Sequence, residues 1–186
     1  MQFQLKFLNG SNLMRIVKFI IFLASIFIII FLISLVLPSK VTVSKSVEIN
    51  ATEEKVKEQI VNFEKWKNWY PAFENKEISV TKNLPQPHIS SSVTLKNIKG
   101  KAIILNLIDT SKSTILIEVH SSSSTSVNYQ FILTPKQNEQ TQLTWNVNTT
   151  LGWLPWKKME GILFDKLSGT QYESALDNLR KAAENN

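Results

Sequence analysis

The chain contains no cysteine among its 186 residues. This absence excludes disulfides, thiol catalysis and cysteine-ligated zinc, and it leaves the redox compartment open because such a chain suits either side of a membrane. Only two histidines occur, His88 and His120. His120 and Glu118 form a weak pair of ligands, since a metal site needs a further ligand at a suitable spacing. Neither a metal site nor a cofactor is therefore predicted.

Catalytic and nucleotide-binding motifs are absent as well. No G-x-S-x-G turn presents a nucleophilic serine, and the segment SGT at residues 168–170 is too short for a phosphate loop or a dinucleotide fingerprint. Burial would raise the pKa of the Asp109, Glu118 and Asp165 carboxyl groups and so suit them to acid–base catalysis. Carboxyl groups are usually exposed to solvent, however, and nothing in the sequence indicates that these three are buried. The sequence therefore yields no catalytic residue, and it favours a binding protein over an enzyme.

The net charge of +6 is divided unevenly along the chain. Lys6, Arg15 and Lys18 contribute +3 before Pro38, where no acidic residue occurs, and the other 18 basic and 15 acidic residues are interspersed. No helix-turn-helix, zinc-finger or RNA-recognition pattern accompanies this charge, so nucleic-acid binding is not predicted.

Residues 19–37 carry no charge and would span about 28 Å as a helix, close to the thickness of a bilayer's hydrocarbon core. They predict a transmembrane helix between a short N-terminal segment (1–18) and a domain (38–186), so that the lipid bilayer is one partner. A cleaved signal peptide is disfavoured because the apolar stretch is long and lacks a small-x-small cleavage site. The preceding basic residues favour a cytoplasmic N-terminus and a domain outside the cytoplasm.

Beyond a linker of only Pro38 to Lys40, alternating apolar residues predict a series of strands. The first strand precedes a helix from Glu53 to Phe63, capped by Asn50 or Thr52, and a second short helix before Pro71. The strands are expected at residues 41–49, 78–82, 93–98, 101–108, 114–120, 127–133 and 143–149. Short polar connections make neighbours antiparallel, which predicts an α+β domain with a C-terminal helix on one sheet face.

The C-terminal segment has two apolar faces that change phase at Gly169. Met159, Ile162, Leu163 and Leu167 cluster on one side, and Tyr172, Ala175, Leu176, Leu179, Ala182 and Ala183 lie nearly opposite. Thr170 and Glu173 form a capping-box signature just after Gly169. This pattern predicts two helices, a lead-in helix at about 157–167 and a helix gripped by the sheet at about 171–184.

Both ends of the chain resemble membrane-anchored bacterial proteins of the SRPBCC superfamily, also called START-like or polyketide cyclase/dehydrase and lipid-transport proteins. The similar stretches are LPSK, VTVSKSVEINATEEKV, NFEKWKNWYPAF and the sequence from LTWNVNTT to the final helix. The positions that carry the resemblance are Trp66, Trp69, Pro71, Trp145, Gly152, Pro155, Asp165, Gly169, Leu176 and Leu179. It implies a helix-grip fold, in which a curved antiparallel sheet wraps a C-terminal helix around a hydrophobic cavity. The middle segment, NLPQPHISSSVTL, departs from the family's glycine-rich turn.

Two groups of residues are candidates for binding. Nine apolar or aromatic residues either line a ligand cavity or fill the core, and burial stabilises the fold equally in both cases: Trp66, Trp69, Tyr70, Phe73, Tyr129, Phe131, Trp145, Leu163 and Leu176. A second group combines tryptophan and lysine, which both favour the lipid interface: Trp153, Trp156, Lys157 and Lys158.

The main functional hypothesis is a membrane-tethered module that holds a lipid or other small hydrophobic ligand in the helix-grip cavity. One alternative is an enzyme of cyclase or hydrolase type that uses polar groups in the same cavity. Another is a structural or envelope-stress partner of a second membrane protein, which an exposed apolar patch would favour. No particular ligand or protein partner follows from the motifs.

Overall fold

A computed structural model describes residues 10–71, 78–82, 92–97, 102–111, 113–121 and 126–185. A long helix, α1 (Gly10–Val36), leads through three residues into strand β1 (Lys40–Ile49), helix α2 (Glu53–Val61) and a 3₁₀ helix (Lys65–Asn68). The remaining strands and the final helix are β2 (Ile78–Lys82), β3 (Ser92–Asn97), β4 (Ala102–Asp109), β5 (Thr114–Ser121), β6 (Ser126–Pro135), β7 (Thr141–Thr150) and α3 (Pro155–Glu184).

The seven strands form one antiparallel sheet in the order β1-β7-β6-β5-β4-β3-β2. Six of them follow the chain as successive hairpin neighbours, while β1 pairs with β7, the last strand. The predicted α+β architecture, with a curved antiparallel sheet, a C-terminal helix and one apolar N-terminal helix, is confirmed. Of the two residues predicted to cap α2, Thr52 occupies the N-cap position, although its side chain makes no capping hydrogen bond.

The inner face of the sheet is built from transverse rows of apolar side chains, because alternate residues of every strand point the same way. The row nearest α1 runs from Val93 through Leu105, Val119, Val127 and Thr149 to Val41, and the next runs through Leu107, Ile117, Tyr129, Val147 and Val43. Lys45, a charged residue among the inward-facing positions of β1, pairs at 2.8 Å with Glu173 of α3. The core therefore lies between this face, α2 and the second half of α3.

The C-terminal helix is one continuous helix through Gly169, so the predicted division into two helices is wrong. The prediction assumed that both apolar faces must pack on the sheet. In the structure Tyr172 and the apolar residues Ala175, Leu176 and Leu179 after it are buried against the sheet, while Met159 and Leu163 in the first half of the helix are more than half exposed. One helix can carry both faces because the described part of the first face does not pack on the sheet. The first half of α3 instead contacts the end of α1 through Lys158.

Helix α1 contains a 24-residue apolar stretch, Leu13–Val36, long enough to cross a membrane. Nearly all of its described side chains are exposed. A signal sequence near an N-terminus also passes this test of length and composition. Insertion of α1 and the orientation of the domain stay predictions.

The β6–β7 hairpin turns through Asn138 and Glu139, whose φ angles of 60° and 57° are both positive. Such a turn favours asparagine followed by glycine, because the left-handed conformation costs a side chain about 1–2 kcal/mol. We expect Glu139→Gly to raise the free energy of unfolding by about 0.5–1 kcal/mol, since the greater flexibility of glycine offsets part of the gain. Urea denaturation of residues 38–186 measures this, and Gln137→Gly is the control that brings no gain.

Candidate ligand site

The aromatic interior begins at the C-terminal end of α2, where carbonyl groups lack partners within the helix. The indole nitrogen of Trp66 donates to the Ile60 carbonyl at 2.7 Å, and that of Trp69 donates to the Gln59 carbonyl at 3.1 Å. The segment NFEKWKNWY thus folds back over its own helix and fixes both indoles beneath the sheet.

Four of the predicted cavity residues pack together as a cluster of aromatic rings. Phe131 stacks on Trp145 with ring centroids 4.8 Å apart, and Trp66 lies 4.7 Å from Trp69. Trp69 joins the two pairs through an edge contact of 6.1 Å with Trp145. All four side chains are at most 1% exposed. Because a side chain without accessible surface does not border an open cavity, these four serve the core.

The three tyrosines of the chain bring their hydroxyl groups together beside this cluster. The hydroxyl oxygens of Tyr70 and Tyr129 lie 3.0 Å apart, and the hydroxyl of Tyr172 on α3 also hydrogen bonds to Tyr129. Tyr129 and Tyr172 keep 5% and 8% of their surface accessible, unlike the four core rings. We call Tyr70, Tyr129 and Tyr172 the tyrosine cluster, and it is the polar part of the candidate site.

Burial sets the ionisation of the tyrosine cluster. Loss of water raises the pKa of Tyr70, Tyr129 and Tyr172, because the low-dielectric interior disfavours a phenolate. The pKa of Tyr129 is raised well above its ordinary value, first by burial and then because a phenolate at Tyr70 or Tyr172 would repel a second one. The hydroxyls are therefore neutral at physiological pH. They can donate or accept hydrogen bonds, and they do not act as bases.

Three buried polar atoms in the described residues have no hydrogen-bond partner: Gln59 Oε1, Trp145 Nε1 and Thr149 Oγ1. Thr149 lies in the inner row nearest α1, between Val127 and Val41. An unpaired buried polar group costs about 1–3 kcal/mol. Native proteins keep such groups where a ligand or a water completes them.

The other predicted ligand-cavity residues are divided by the structure. Leu176 is buried against the sheet, Leu163 is 51% exposed on the first half of α3, and Phe73 lies outside the described residues. Sequence reasoning missed Tyr172 and Thr149. Their signals were present, since Tyr172 leads the apolar face of the second half of α3 and Thr149 continues the inner alternation of β7.

The predicted membrane-interface residues also differ among themselves. Trp153 and Trp156 are 72% and 55% exposed, and Lys157 is half-buried. Lys158 is buried, because its ammonium group donates to the Ser34 and Leu37 carbonyls at 2.8 and 3.1 Å. Its position at the end of α1 was not predicted.

The weak metal and acid candidates stay at the surface where they are described. His120 pairs with Glu118 at 3.0 Å on the outer face of β5, and hydrogen bonds from Ser111 lower the pKa of Asp109. Within the described ranges no group of three or more histidine or acidic residues could hold a metal ion. His88, the side chain of Asp165 and most of the NLPQPHISSSVTL segment lie outside what is described. A depression of about 340 Å³, lined by Asn68, Asn178, Lys181, Ala182 and Asn185, is open to solvent and mainly polar.

The raised pKa values predict that no tyrosine of the folded protein ionises near pH 10. Unfolded tyrosine ionises near pH 10, whereas all three native tyrosines ionise above that value. Above pH 10 the folded state therefore keeps protons that the unfolded state loses. The free energy of unfolding is unaffected by these tyrosines below pH 10 and decreases as the pH rises above it. Absorbance of tyrosinate between pH 9 and 11, with and without denaturant, measures this. A native tyrosine that titrates near pH 10 would contradict the buried cluster.

The unpaired hydroxyl of Thr149 predicts a stabilising substitution. Thr149→Val keeps the shape of the side chain and removes the unsatisfied oxygen, so we expect the ligand-free domain to gain about 1 kcal/mol in the free energy of unfolding. The control is Thr144→Val on the outer face of the same strand, where the side chain is half-buried and no comparable gain is expected. A loss of stability in Thr149→Val, measured by urea denaturation, would mean that the hydroxyl has a partner.

Comparisons with known proteins agree with this architecture. Residues 40–184 match the family described as polyketide cyclase / dehydrase and lipid transport. A START superfamily protein from Mycobacterium smegmatis is 22% identical with a TM-score of 0.60, covering 77% of this chain and 97% of that chain. Zhui aromatase/cyclase from Streptomyces sp. R1128 is 13% identical with a TM-score of 0.59, covering 78% and 94%. A conserved protein from Geobacillus kaustophilus is 14% identical with a TM-score of 0.57, covering 77% and 95%.

These identities show a shared fold and leave activity open. A comparison with curated protein sequences found no match. The family match spans most of the chain and the solved structures share the sheet and its C-terminal helix. The chain therefore belongs to the polyketide cyclase/dehydrase and lipid transport family, and its domain has the START-like fold.

Proposed function

We propose that this protein is a membrane-tethered binding module that holds a lipid or other small hydrophobic ligand between its sheet and α3. The observation that carries the proposal is the tyrosine cluster, in which neutral hydroxyls meet among apolar side chains; Tyr129 and Tyr172, although buried, keep 5% and 8% of their surface accessible. The family description, which includes lipid transport, supports the same class of ligand.

The chemistry of the cluster narrows the class of ligand. Neutral tyrosine hydroxyls hydrogen bond to an alcohol, ketone or ester oxygen without bringing a charge into the interior. A carboxylate would lose its hydration there, and none of the three tyrosines supplies a positive charge to compensate. We therefore favour a hydrophobic molecule with one neutral oxygen over an ionised fatty acid.

The inner face provides an apolar surface for the rest of such a molecule. In the row nearest α1, Val119 is 6% exposed and Val127 is half-buried, and Ile103, which points the same way beyond this row on β4, is 37% exposed. The unpaired hydroxyl of Thr149 lies in the same row. A ligand that reaches from the tyrosine cluster towards this row would contact apolar side chains along its length.

The cyclase alternative rests on the same cluster, and one of the solved structures is a named aromatase/cyclase. A tyrosine with a raised pKa stays protonated, so it could serve as a proton donor and not as a base. Turnover of a bound ligand during the experiment below would favour this alternative.

Retinol is a suitable probe, because it is apolar, carries one hydroxyl and fluoresces more strongly in apolar surroundings. We expect the domain of residues 38–186 to raise retinol fluorescence saturably, and retinoate to compete poorly. Tyr129→Phe removes one hydrogen bond worth about 0.5–1.5 kcal/mol, which corresponds to about a 2- to 10-fold weaker affinity. Thr144→Val, which removes a hydroxyl from the outer face, is the matched control.

Three outcomes would count against the proposal. No saturable binding of retinol, together with no lipid found by mass spectrometry in the purified domain, would favour a solid core without a ligand. Equal affinity of the wild type and Tyr129→Phe for retinol would show that the tyrosine cluster does not contribute to binding. Tighter binding of retinoate than of retinol would reverse the preference for a neutral ligand.

A further inference from the structure

The junction between α1 and α3 carries an inference that rests on the proposed membrane tether. Lys158 places its ammonium group against the C-terminal end of α1, where it donates to the Ser34 and Leu37 carbonyls. The last carbonyls of a helix lack partners and bear the negative end of the helix dipole, so a lysine that is only 7% exposed finds hydrogen-bond acceptors in this position.

Two further contacts hold the same junction together. The Leu151 N–H, just after β7, donates to the Ser39 carbonyl at 2.9 Å, just before β1. Gly161 of α3 lies so close to Leu151 that a Cβ atom there would come within 2.2 Å of its side chain. The domain is thus joined to the end of α1 by a three-residue linker, by the bonds from Lys158 to the Ser34 and Leu37 carbonyls, and by the bond from Leu151 to Ser39 of the linker.

This junction leaves an apolar surface uncovered. We define the junction patch as Trp153, Trp156, Met159 and Leu163, which are 72%, 55%, 58% and 51% exposed. Residues 156, 159 and 163 have the spacing of one helix face. Lys158, which bonds to the end of α1, belongs to the same two turns of α3.

The length of α1 sets the depth at which the junction patch lies. Lys18 is the last charged residue before the apolar run, and the 18 residues from Phe19 to Val36 rise about 27 Å. With Lys18 at one boundary of a hydrocarbon core about 30 Å thick, the last turn of α1 reaches the opposite boundary. Lys158 holds the first turns of α3 against that last turn. Tryptophan is enriched at this boundary in membrane proteins.

We infer that the junction patch lies in the bilayer that holds α1, so that the domain is seated on the membrane surface in one orientation. In this position the junction patch contacts the headgroups and the upper acyl chains of the leaflet on the domain's side. Lys40 and Lys157, at the first residue of β1 and in the first turn of α3, add positive charge beside it. Anionic lipids therefore strengthen the contact.

The test uses the full-length protein in vesicles of phosphatidylcholine and phosphatidylglycerol, with phosphatidylcholine brominated on its acyl chains near the glycerol. Bromine quenches tryptophan fluorescence on contact. Trp66, Trp69 and Trp145 are shielded in the core, so quenching reports on Trp153 and Trp156. We expect the wild type to lose fluorescence in brominated vesicles and the double variant Trp153→Phe/Trp156→Phe to lose far less. Resistance of the protein to extraction at alkaline pH establishes independently that α1 is inserted.

Two lysine variants test whether Lys158 sets the orientation. Lys158→Met keeps an apolar side chain of similar length but leaves the carbonyls at the end of α1 without their donor, so we expect weaker quenching of the tryptophans. Lys67→Met, at an exposed lysine of the 3₁₀ helix near the far end of α3, is the control and keeps the contact. Vesicles of phosphatidylcholine alone remove the effect of surface charge from this comparison. Far-ultraviolet circular dichroism confirms that each variant is folded.

The outcomes separate this inference from the proposed ligand. An inserted protein whose fluorescence is not quenched would overturn the seating of the patch and leave retinol binding untouched. Tryptophans that are not quenched, in a protein that can be cross-linked through the junction patch to a second copy, would show that the patch contacts that copy and not the bilayer. A protein extracted at alkaline pH would overturn the tether and the seating together. Equal quenching in Lys158→Met and the wild type would show that Lys158 does not position the junction patch.

Discussion

Capping of a helix end by side chains from elsewhere in the chain is the interaction on which this structure depends. The indoles of Trp66 and Trp69 satisfy carbonyl groups at the end of α2 and are thereby held beneath the sheet. Trp145 and Phe131 then pack on them, and Tyr172 of α3 packs on Trp145 at 4.9 Å. One set of hydrogen bonds thus organises α2, the central strands and α3 into a single core.

The end of α1 is satisfied in a similar way, but with a different consequence. At α2 the donors are large and apolar, so capping also contributes to the core. At α1 the donor is the ammonium of Lys158, which carries little apolar surface and sits at the edge of the domain. The first cap ties α2 into the core, and the second joins the start of α3 to the end of α1. The tyrosine cluster and the junction patch are related through α3, because the same helix provides Tyr172 at its centre and Lys158 at its start.

Strand periodicity was sufficient to predict the strands from sequence, but not the pairing of β1 with β7. The alternation in residues 41–49 and 143–149 matches β1 and β7 within two residues at each end, since one buried face leaves little freedom in register. The continuity of α3 was not predictable from its apolar pattern. The change of phase at Gly169 was correctly seen, but it marks a change of neighbour and not a change of structure. Periodicity shows which residues share a face and does not show what covers that face.

The candidate site was predicted less well for a related reason. Trp66, Trp69, Phe131 and Trp145 are aromatic and face inwards, as expected, yet composition does not distinguish a side chain that lines a cavity from one that fills the core. Their partners decide this, and those come from α2 and α3 over long distances in the chain. The hydroxyl of Tyr172 joins Tyr129 only because α3 crosses β6 and β7 at that point. Lys158 likewise acquires its role from a helix more than a hundred residues earlier.

The pairing of β1 with β7 has a consequence for how the protein is made. Lys40 pairs with Thr150, its partner 110 residues further along the chain, so the first strand emerges from the ribosome long before its neighbour exists. At about 5–20 residues per second, translation leaves this edge unpaired for roughly 5–20 s. Closing so long a loop is also slow, because most of its entropy is lost before any contact forms. During that interval β1 follows directly on α1, and the bond from Leu151 to Ser39 cannot form before β7 has been synthesised. The strand beside the three-residue linker therefore waits for the last strand of the sheet.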